Sequence, residues 1–197
     1  MSAPTKPPRI APGGRAELGA VTWTIMRVMA RRYKATVPNM MLVLARHRRM
    51  FFPWLIFASR LMPNGTLPAC DSELVILRVG HRYDSEYERH QHTPLARRAG
   101  LSDAVIAWTA GPVGGLEIPS PCGSIDSDRA LLLANATDEL LDSHTLSDDT
   151  WAQLSAIYRE HQLIEFCMLV GHYAMIAGTL NAAGVPLDAE AGLNNLR

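Results

Sequence analysis

The sequence has few cysteines: Cys70, Cys122 and Cys167 are the only three, and no two of them form a CxxC pair. This absence excludes a disulfide-rich secreted fold and a cysteine-based zinc site. No apolar run reaches the length that spans a bilayer, and residues 1–16 carry prolines and glycines where a signal peptide would need an apolar core. We therefore expect a cytoplasmic protein with no membrane partner and a flexible tail over residues 1–16.

Several catalytic motifs are also missing. The sequence has no HExxH zinc motif and no GxSxG nucleophile elbow. Gly114-Gly115 lacks the preceding strand and the lysine of a phosphate-binding loop, so it predicts a turn. Strand-like alternation of apolar and polar residues is nearly absent as well.

What remains is a helical pattern. The 197 residues are 48% hydrophobic and 19% charged, which suits one globular domain with a sizeable core. Apolar residues at helical spacing predict an all-α fold, a compact multi-helix bundle covering residues 17–197. A Pro/Gly-rich connection at 111–125 divides it into two helical halves. The expected helices cover residues 18–33, 40–52, 54–61, 72–79, 85–99, 104–109, 128–141 and 147–183.

Charge is unevenly distributed although the net charge is zero. Residues 1–49 hold ten Lys and Arg against one acid, and the rest of the chain holds nine against eighteen. Such a basic segment can contact nucleic acid or an anionic membrane, or an acidic surface of the same protein or of a neighbouring subunit. No nucleic-acid-binding motif accompanies the charge, so we expect no nucleic-acid partner.

The stretch SEYERHQH, residues 85–92, places Ser85, Glu88 and His92 on one narrow helical face. A carboxylate beside an imidazole fixes its tautomer and raises its basicity, which suits proton transfer near neutral pH. The same spacing also occurs in exposed ion pairs on solvated helices, so spacing alone leaves both interpretations open. Pro94 either kinks this helix or begins a new one.

A second stripe, His161, Glu165, Met168 and His172, lies on one face of an apolar helical segment. Buried Glu and His side chains need partners, so this stripe either lines the same pocket or forms a structural polar network. The Glu/His pairs are four residues apart, not three as in helix-bundle di-iron sites. We therefore expect no metal and no other cofactor.

The segment SELVILRVGHRYDSEYERHQHTPLARRAGLSDAVI resembles the core motif of the carboxymuconolactone decarboxylase and alkyl hydroperoxidase D superfamily. Glu73 lies twelve residues before Ser85, as the glutamate of that motif does. Ser85 and Glu88 stand where the hydroperoxidase branch has its two cysteines, and His92 stands on its histidine. The likeness covers about residues 38–187 and, with no cysteines in the motif, points to the cysteine-free branch. Disulfide chemistry is excluded at such a site.

The resemblance implies a lyase of the kind used in aromatic-compound catabolism. It implies cofactor-free decarboxylation or proton transfer on a small carboxylated lactone or related acid, in a homo-oligomer, a trimer or a hexamer. The implied catalytic residues are Glu73, Glu88 and His92, with His92 exchanging the proton. The expected substrate-binding residues are Ser85, Arg78, Arg89, Glu165 and His172. Two alternatives stay open: a non-catalytic ligand-binding protein on the same fold, and a metal-dependent enzyme using His and Glu.

Overall fold

The computed structural model describes residues 7–32, 36–112 and 125–189. Within these ranges the chain forms ten α-helices and no strand, which confirms the all-α prediction. The helices are α1 Arg15–Leu18, α2 Ala20–Arg32, α3 Asn39–Leu44, α4 Arg48–Leu61, α5 Ala69–Arg82, α6 Glu86–Arg98, α7 Asp103–Trp108, α8 Ser127–Ser143, α9 Asp148–Ser155 and α10 Glu160–Ala183.

Helix α5 is the centre of the bundle. Every residue from Cys70 to Gly80 is buried, and α5 packs against α6, α8 and α10. Leu74 of α5, Leu133 of α8 and Phe166 of α10 are completely enclosed in the same apolar core. The two halves of the chain therefore share one core.

The N-terminal helices build a smaller apolar cluster beside this core. Leu18, Met26, Ala45 and Phe51 are its buried members. Trp54 of α4 packs against this cluster and also against a third group that contains Ile176 of α10. Helix α4 thus connects the basic N-terminal third with α10.

The described part of the N-terminal segment, residues 7–14, is not a free tail. The Arg9 and Ile10 amides donate to the Ala183 carbonyl over 3.0 and 3.1 Å, and the Gly13 amide donates to the Leu42 carbonyl over 3.1 Å. Prolines and glycines prevent a helix here, but they leave amides that can pair with the ends of other helices. Residues 1–6 lie outside the described residues, as do residues 113–124 of the expected connection.

The first helix break differs from the prediction. The sequence predicts separate helices at 40–52 and 54–61, yet Pro53 lies inside α4 and the break falls at residues 45–47. His47 caps α4 because its Nδ1 accepts from the Met50 amide over 3.3 Å. Pro53 costs α4 one backbone hydrogen bond, and packing of Phe51 into the N-terminal cluster offsets that loss.

Two other expected boundaries also shift, and Pro94 does not begin a new helix. The expected helix at 147–183 is interrupted at residues 156–159, and Gly171 and Gly178 lie within continuous α10. Gly80 does not end α5, which continues to Arg82. Pro94 lies inside α6, which continues to Arg98.

One helix of the described part, α10, is long and apolar enough to cross a membrane by length and composition. Half of its apolar window is buried inside the protein, and a core helix satisfies the same criteria. Since α10 packs against α4, α5, α6, α8 and α9, its central position accounts for its composition. The cytoplasmic location stays a prediction.

Candidate functional site

The site is built on the α5–α6 hairpin. Glu73 and Gly80 are seven residues apart, so they share one face of α5, the face that α6 packs against. A Cβ added at Gly80 would lie 3.4 Å from the Glu88 Cβ, so the absence of a side chain there allows α6 to approach closely. The hairpin turn is closed by a 2.8 Å hydrogen bond from the Ser85 amide to the Gly80 carbonyl.

Glu73, His92 and Glu88 form a continuous line of side chains, which we call the carboxylate–imidazole line. The His92 Nδ1 lies 2.9 Å from the Glu73 Oε2, and its Nε2 lies 3.5 Å from the Glu88 Oε2. The first contact is a short hydrogen bond, and the second is a longer ionic contact. The three residues are 2%, 8% and 3% exposed, so the line is shielded from solvent.

Burial and mutual charge set the protonation of this line. Burial disfavours protonated His92, but the Glu73 and Glu88 carboxylates outweigh that effect, so the His92 pKa is raised. Burial raises the pKa of Glu88; the charge of His92 opposes this, and the negative charge of Glu73 adds to it. The site therefore favours a protonated imidazole next to a carboxyl group that holds its own proton more tightly than usual.

One carboxyl oxygen of Glu88 has no partner among the described residues. The Glu88 Oε2 faces His92, while the Oε1 is buried without a hydrogen-bond partner among the described residues. Buried polar atoms are normally paired, so an unpaired carboxyl oxygen beside a titrating imidazole marks a place for a ligand. Both nitrogens of His92, in contrast, already face carboxylates.

An aromatic wall from α10 and α4 adjoins the line. The Tyr173 ring meets the His92 ring edge-on, with centroids 5.1 Å apart, and meets the His172 ring at 5.2 Å. His172 also stacks with Trp54 at 6.0 Å and contacts Phe57 at 5.4 Å. This wall joins the second histidine stripe to the first through His172.

His172 is neutral at physiological pH. Burial, reinforced by the charge of His92, lowers the pKa of His172 to about 4. Its Nδ1 is buried without a partner in the described part of the chain, as is the Nε1 of Trp54. The wall therefore offers uncharged polar groups, whereas the line offers charged ones.

Ser85 occupies the N-cap of α6. It is completely buried, and its Oγ lies 3.5 Å from the Glu88 amide, as the acceptor of the cap. The serine thus orients the first turn of the helix that carries Glu88 and His92. Its expected role as a donor to substrate stays a prediction.

Arg78 does not join the site. Its Nε and Nη2 donate to the Asp138 carboxylate, the first over 2.8 Å, and its Nη1 donates to the Thr109 and Gly111 carbonyls. The guanidinium is buried and ties α5 to α8 and to the end of α7. Because Arg78 lies five residues after Glu73, it points to another side of α5. We exclude Arg78 from the proposed site.

Arg89 and Glu165 also have structural partners away from the carboxylate–imidazole line. The Arg89 Nη1 lies 3.1 Å from the Asp84 carboxylate and 3.2 Å from the Gly80 carbonyl, bracing the hairpin turn. Glu165 accepts from the Thr66 and Leu67 amides over 2.8 and 3.0 Å, holding the loop before α5. Glu165 therefore follows the structural alternative for the second stripe, while His172 lies at the site.

Sequence reasoning missed three side chains of the aromatic wall, Trp54, Phe57 and Tyr173. Trp54 is one of four tryptophans scattered through the sequence, and nothing in its neighbourhood signals a role. Tyr173 follows His172 directly, inside a segment whose apolar character suggests core. These side chains join the site only because α10 packs against the α5–α6 hairpin and α4 packs against α10.

The acidic and histidine side chains do not converge as metal ligands do. Among the described residues, no group of three or more His, Cys, Asp or Glu could hold a metal ion. Glu73 and Glu88 lie on opposite sides of the His92 ring, each facing a different nitrogen.

Comparisons with known proteins identify the fold. No protein-family model and no curated protein matches the chain. The solved structure of a peroxidase-related protein from Silicibacter sp. TM1040 is similar, with a TM-score of 0.76 and 14% identity over 96% of each chain. An alkylhydroperoxidase AhpD core protein, also described as peroxidase-related, from Ralstonia eutropha JMP134 has a TM-score of 0.73 and 16% identity, covering 91% of this chain and 93% of that one. The AhpD-like fold is confirmed, and membership of the cysteine-free branch stays a prediction.

Proposed function

We propose that this protein is an enzyme that transfers protons at a carbon atom of a small enolisable lactone or acid, without a cofactor. One observation carries the proposal: the buried Glu73–His92–Glu88 line ends in a carboxyl oxygen that has no partner in the part of the chain that the structure describes. Buried carboxyl groups with raised pKa are suited to exchange protons with substrate near neutral pH.

The geometry favours roles that differ from those expected from the sequence. Glu88, through its unpartnered Oε1, exchanges the proton with the substrate. His92 contacts Glu88 through Nε2 and balances its charge as the proton leaves or returns. Glu73 fixes the orientation of the imidazole through Nδ1 and stabilises its protonated form. Glu88 is the catalytic acid and base, and Glu73 and His92 are positioning residues.

Two reactions suit this group of residues, and they start from different protonation states of Glu88. From a carboxylated lactone, the carbon–carbon bond to the carboxylate breaks, carbon dioxide leaves with its electrons left on carbon, and protonated Glu88 gives a proton to that carbon. From an unsaturated lactone, ionised Glu88 takes a proton from one carbon and returns it to another. Each scheme needs no oxidant or reductant.

The thiols of the described chain do not favour a peroxidase. Burial raises the pKa of Cys70 to about 11, and the neighbouring Asp71 carboxylate adds to that effect. Burial also raises the pKa of Cys167. Attack on a peroxide needs a thiolate, and both thiols disfavour that form. The positions that would carry the redox pair hold Ser85 and Glu88.

The test is turnover of carboxymuconolactone, followed by loss of ultraviolet absorbance and release of carbon dioxide, together with proton exchange of unsaturated lactones in heavy water. We expect wild-type activity in at least one of these two reactions and a loss of about a hundredfold or more in Glu88→Gln, because the amide cannot exchange a proton. The matched control is Glu86→Gln, which makes the same change on an exposed residue of α6.

The outcomes are distinct. Equal rates in Glu88→Gln and the wild type would refute the role of Glu88. A folded wild type that binds lactones but neither releases carbon dioxide nor exchanges protons would refute the enzyme and favour the ligand-binding alternative.

A further inference from the structure

We infer that Trp54 and His172 hold the carbonyl oxygen of the substrate, and that the substrate is an uncharged enolisable carbonyl compound, such as an unsaturated lactone without a carboxylate. The inference rests on the proton-transfer function proposed above and selects one substrate class within it. It also gives a binding role to Trp54 of α4, a helix that precedes the α5–α6 hairpin in the sequence.

Three buried polar atoms, none with a partner in the described ranges, belong to residues linked by a series of side-chain contacts. They are the Glu88 Oε1, the His172 Nδ1 and the Trp54 Nε1. His92 contacts Glu88, Tyr173 contacts both His92 and His172, and His172 stacks with Trp54. Glu88 and His172 are 3% and 7% exposed, so solvent does not readily satisfy them. A ligand that touches Glu88 and the wall would satisfy these atoms together.

An unpartnered indole nitrogen alone would not identify a binding residue. Trp108 also has a buried Nε1 without a partner among the described residues, yet it lies in the main apolar core on α7. Trp54 differs because its ring stacks with His172. His172 in turn contacts Tyr173, which lies beside His92. Trp108 therefore supplies a natural control.

The charges of the site favour an uncharged ligand. The charged side chains in contact here are two carboxylates, Glu73 and Glu88, and one imidazole, His92, which is already balanced by Glu73. His172 brings no positive charge. The arginines proposed as carboxylate ligands are committed elsewhere, Arg78 to Asp138 and Arg89 to Asp84. A substrate carboxylate would enter beside like charge without a counter-ion, which is costly in a buried site.

The site offers uncharged hydrogen-bond donors to the oxygen of an enolate. Ionised Glu88 removes a proton from the carbon next to the carbonyl, and the electron pair moves to the carbonyl oxygen. The Trp54 Nε1–H, and the His172 Nδ1 when that atom carries the proton, donate to this oxygen. Glu88 then returns the proton to the distal carbon of the unsaturated system, the carbonyl reforms, and atoms and charge balance.

The experiment uses the full chain and two matched probes. The first is α-angelica lactone, an uncharged β,γ-unsaturated lactone; the second carries a carboxymethyl group in place of the methyl group. Isomerisation and deuterium uptake are measured by nuclear magnetic resonance for the wild type, Trp54→Phe, His172→Asn and Trp108→Phe. We expect the wild type to prefer the uncharged probe by at least about tenfold in kcat/KM.

Trp54→Phe should lower kcat by about a hundredfold, with a smaller change in KM, since an oxyanion donor acts mainly in the transition state. Trp108→Phe removes the same N–H from the core and should leave kcat within about twofold. His172→Asn tests the second contact if Trp54→Phe fails to fold, and it should also lower kcat.

Each result decides the inference. Preference for the carboxylated probe, or full activity in both Trp54→Phe and His172→Asn, would overturn it while leaving the proton-transfer function intact. Equal losses in Trp54→Phe and Trp108→Phe would also overturn it, because the loss would then reflect packing. A folded wild type inactive on both probes and on carboxymuconolactone would overturn the function and the inference together.

Discussion

His172 gives the folded protein a specific sensitivity to acid. Its ring is enclosed by Trp54, Phe57 and Tyr173, and its pKa of about 4 in the folded state compares with an ordinary value of 6.5. The unfolded chain therefore takes up a proton at a higher pH than the folded one. Stability from this residue is present above pH 6.5 and is lost as pH falls toward about 4.

The size of the effect follows from those two values. Between about pH 7.5 and about pH 5, the linkage relation gives a loss of about 2 kcal/mol from His172 alone. His172→Phe keeps an aromatic ring in the wall but cannot take up the proton. We expect its free energy of unfolding to fall by about 2 kcal/mol less than that of the wild type over this range.

The assay is urea denaturation at the two pH values, followed by circular dichroism at one fixed protein concentration. For each protein, we compare the change in the free energy of unfolding between the two pH values. A packing cost of the substitution that does not depend on pH therefore cancels. His144→Asn, at the exposed C-cap of α8, replaces a histidine without disturbing the wall. Equal pH-induced losses in His172→Phe and the wild type would show that His172 does not carry this sensitivity.

Other predictions follow from the packing of the fold. Arg78→Met leaves the Thr109 and Gly111 carbonyls without their buried donor and leaves the Asp138 carboxylate with Arg82 alone, and should lower the free energy of unfolding by about 3 kcal/mol in urea denaturation. Arg97→Met breaks an exposed ion pair and should lower the free energy of unfolding by less than about 1 kcal/mol. Similar losses in the two variants would refute the structural role of Arg78. We also propose that the protein self-associates as a trimer or hexamer, because α10 exposes Ile164 and Met175. Light scattering coupled to size exclusion should show this, and a monomer at every concentration would contradict it.

The carboxylate–imidazole line could be predicted because its parts are close in sequence. Ser85, Glu88 and His92 share a helical face, and Glu73 lies on the preceding helix, so the α5–α6 hairpin brings them together. Local chemistry also located the ends of several helices, such as the Ser85 cap of α6 and the left-handed Gly184 after α10.

Several structural features depend on long-range packing and could not be predicted from the sequence. Arg78 became structural because Asp138, sixty residues away, lies within its reach. Glu165 holds a loop ninety-nine residues earlier in the chain. Pro53 stays inside a helix because the hydrophobic cluster around Phe51 outweighs one lost backbone bond. Such outcomes depend on which side chains meet in the folded chain, and periodicity carries no information about that.

The two parts of the site are synthesised at different times. The α5–α6 hairpin, with Glu73, Glu88 and His92, leaves the ribosome as one unit, whereas His172 and Tyr173 follow about eighty residues later, which takes roughly 4 to 16 seconds at ordinary rates of translation. Until α10 arrives, Glu88 and His92 are more hydrated than in the folded protein, so burial shifts the pKa of each residue less. The last helix of the described chain to be made therefore closes the core and also changes the acidity of residues synthesised long before it.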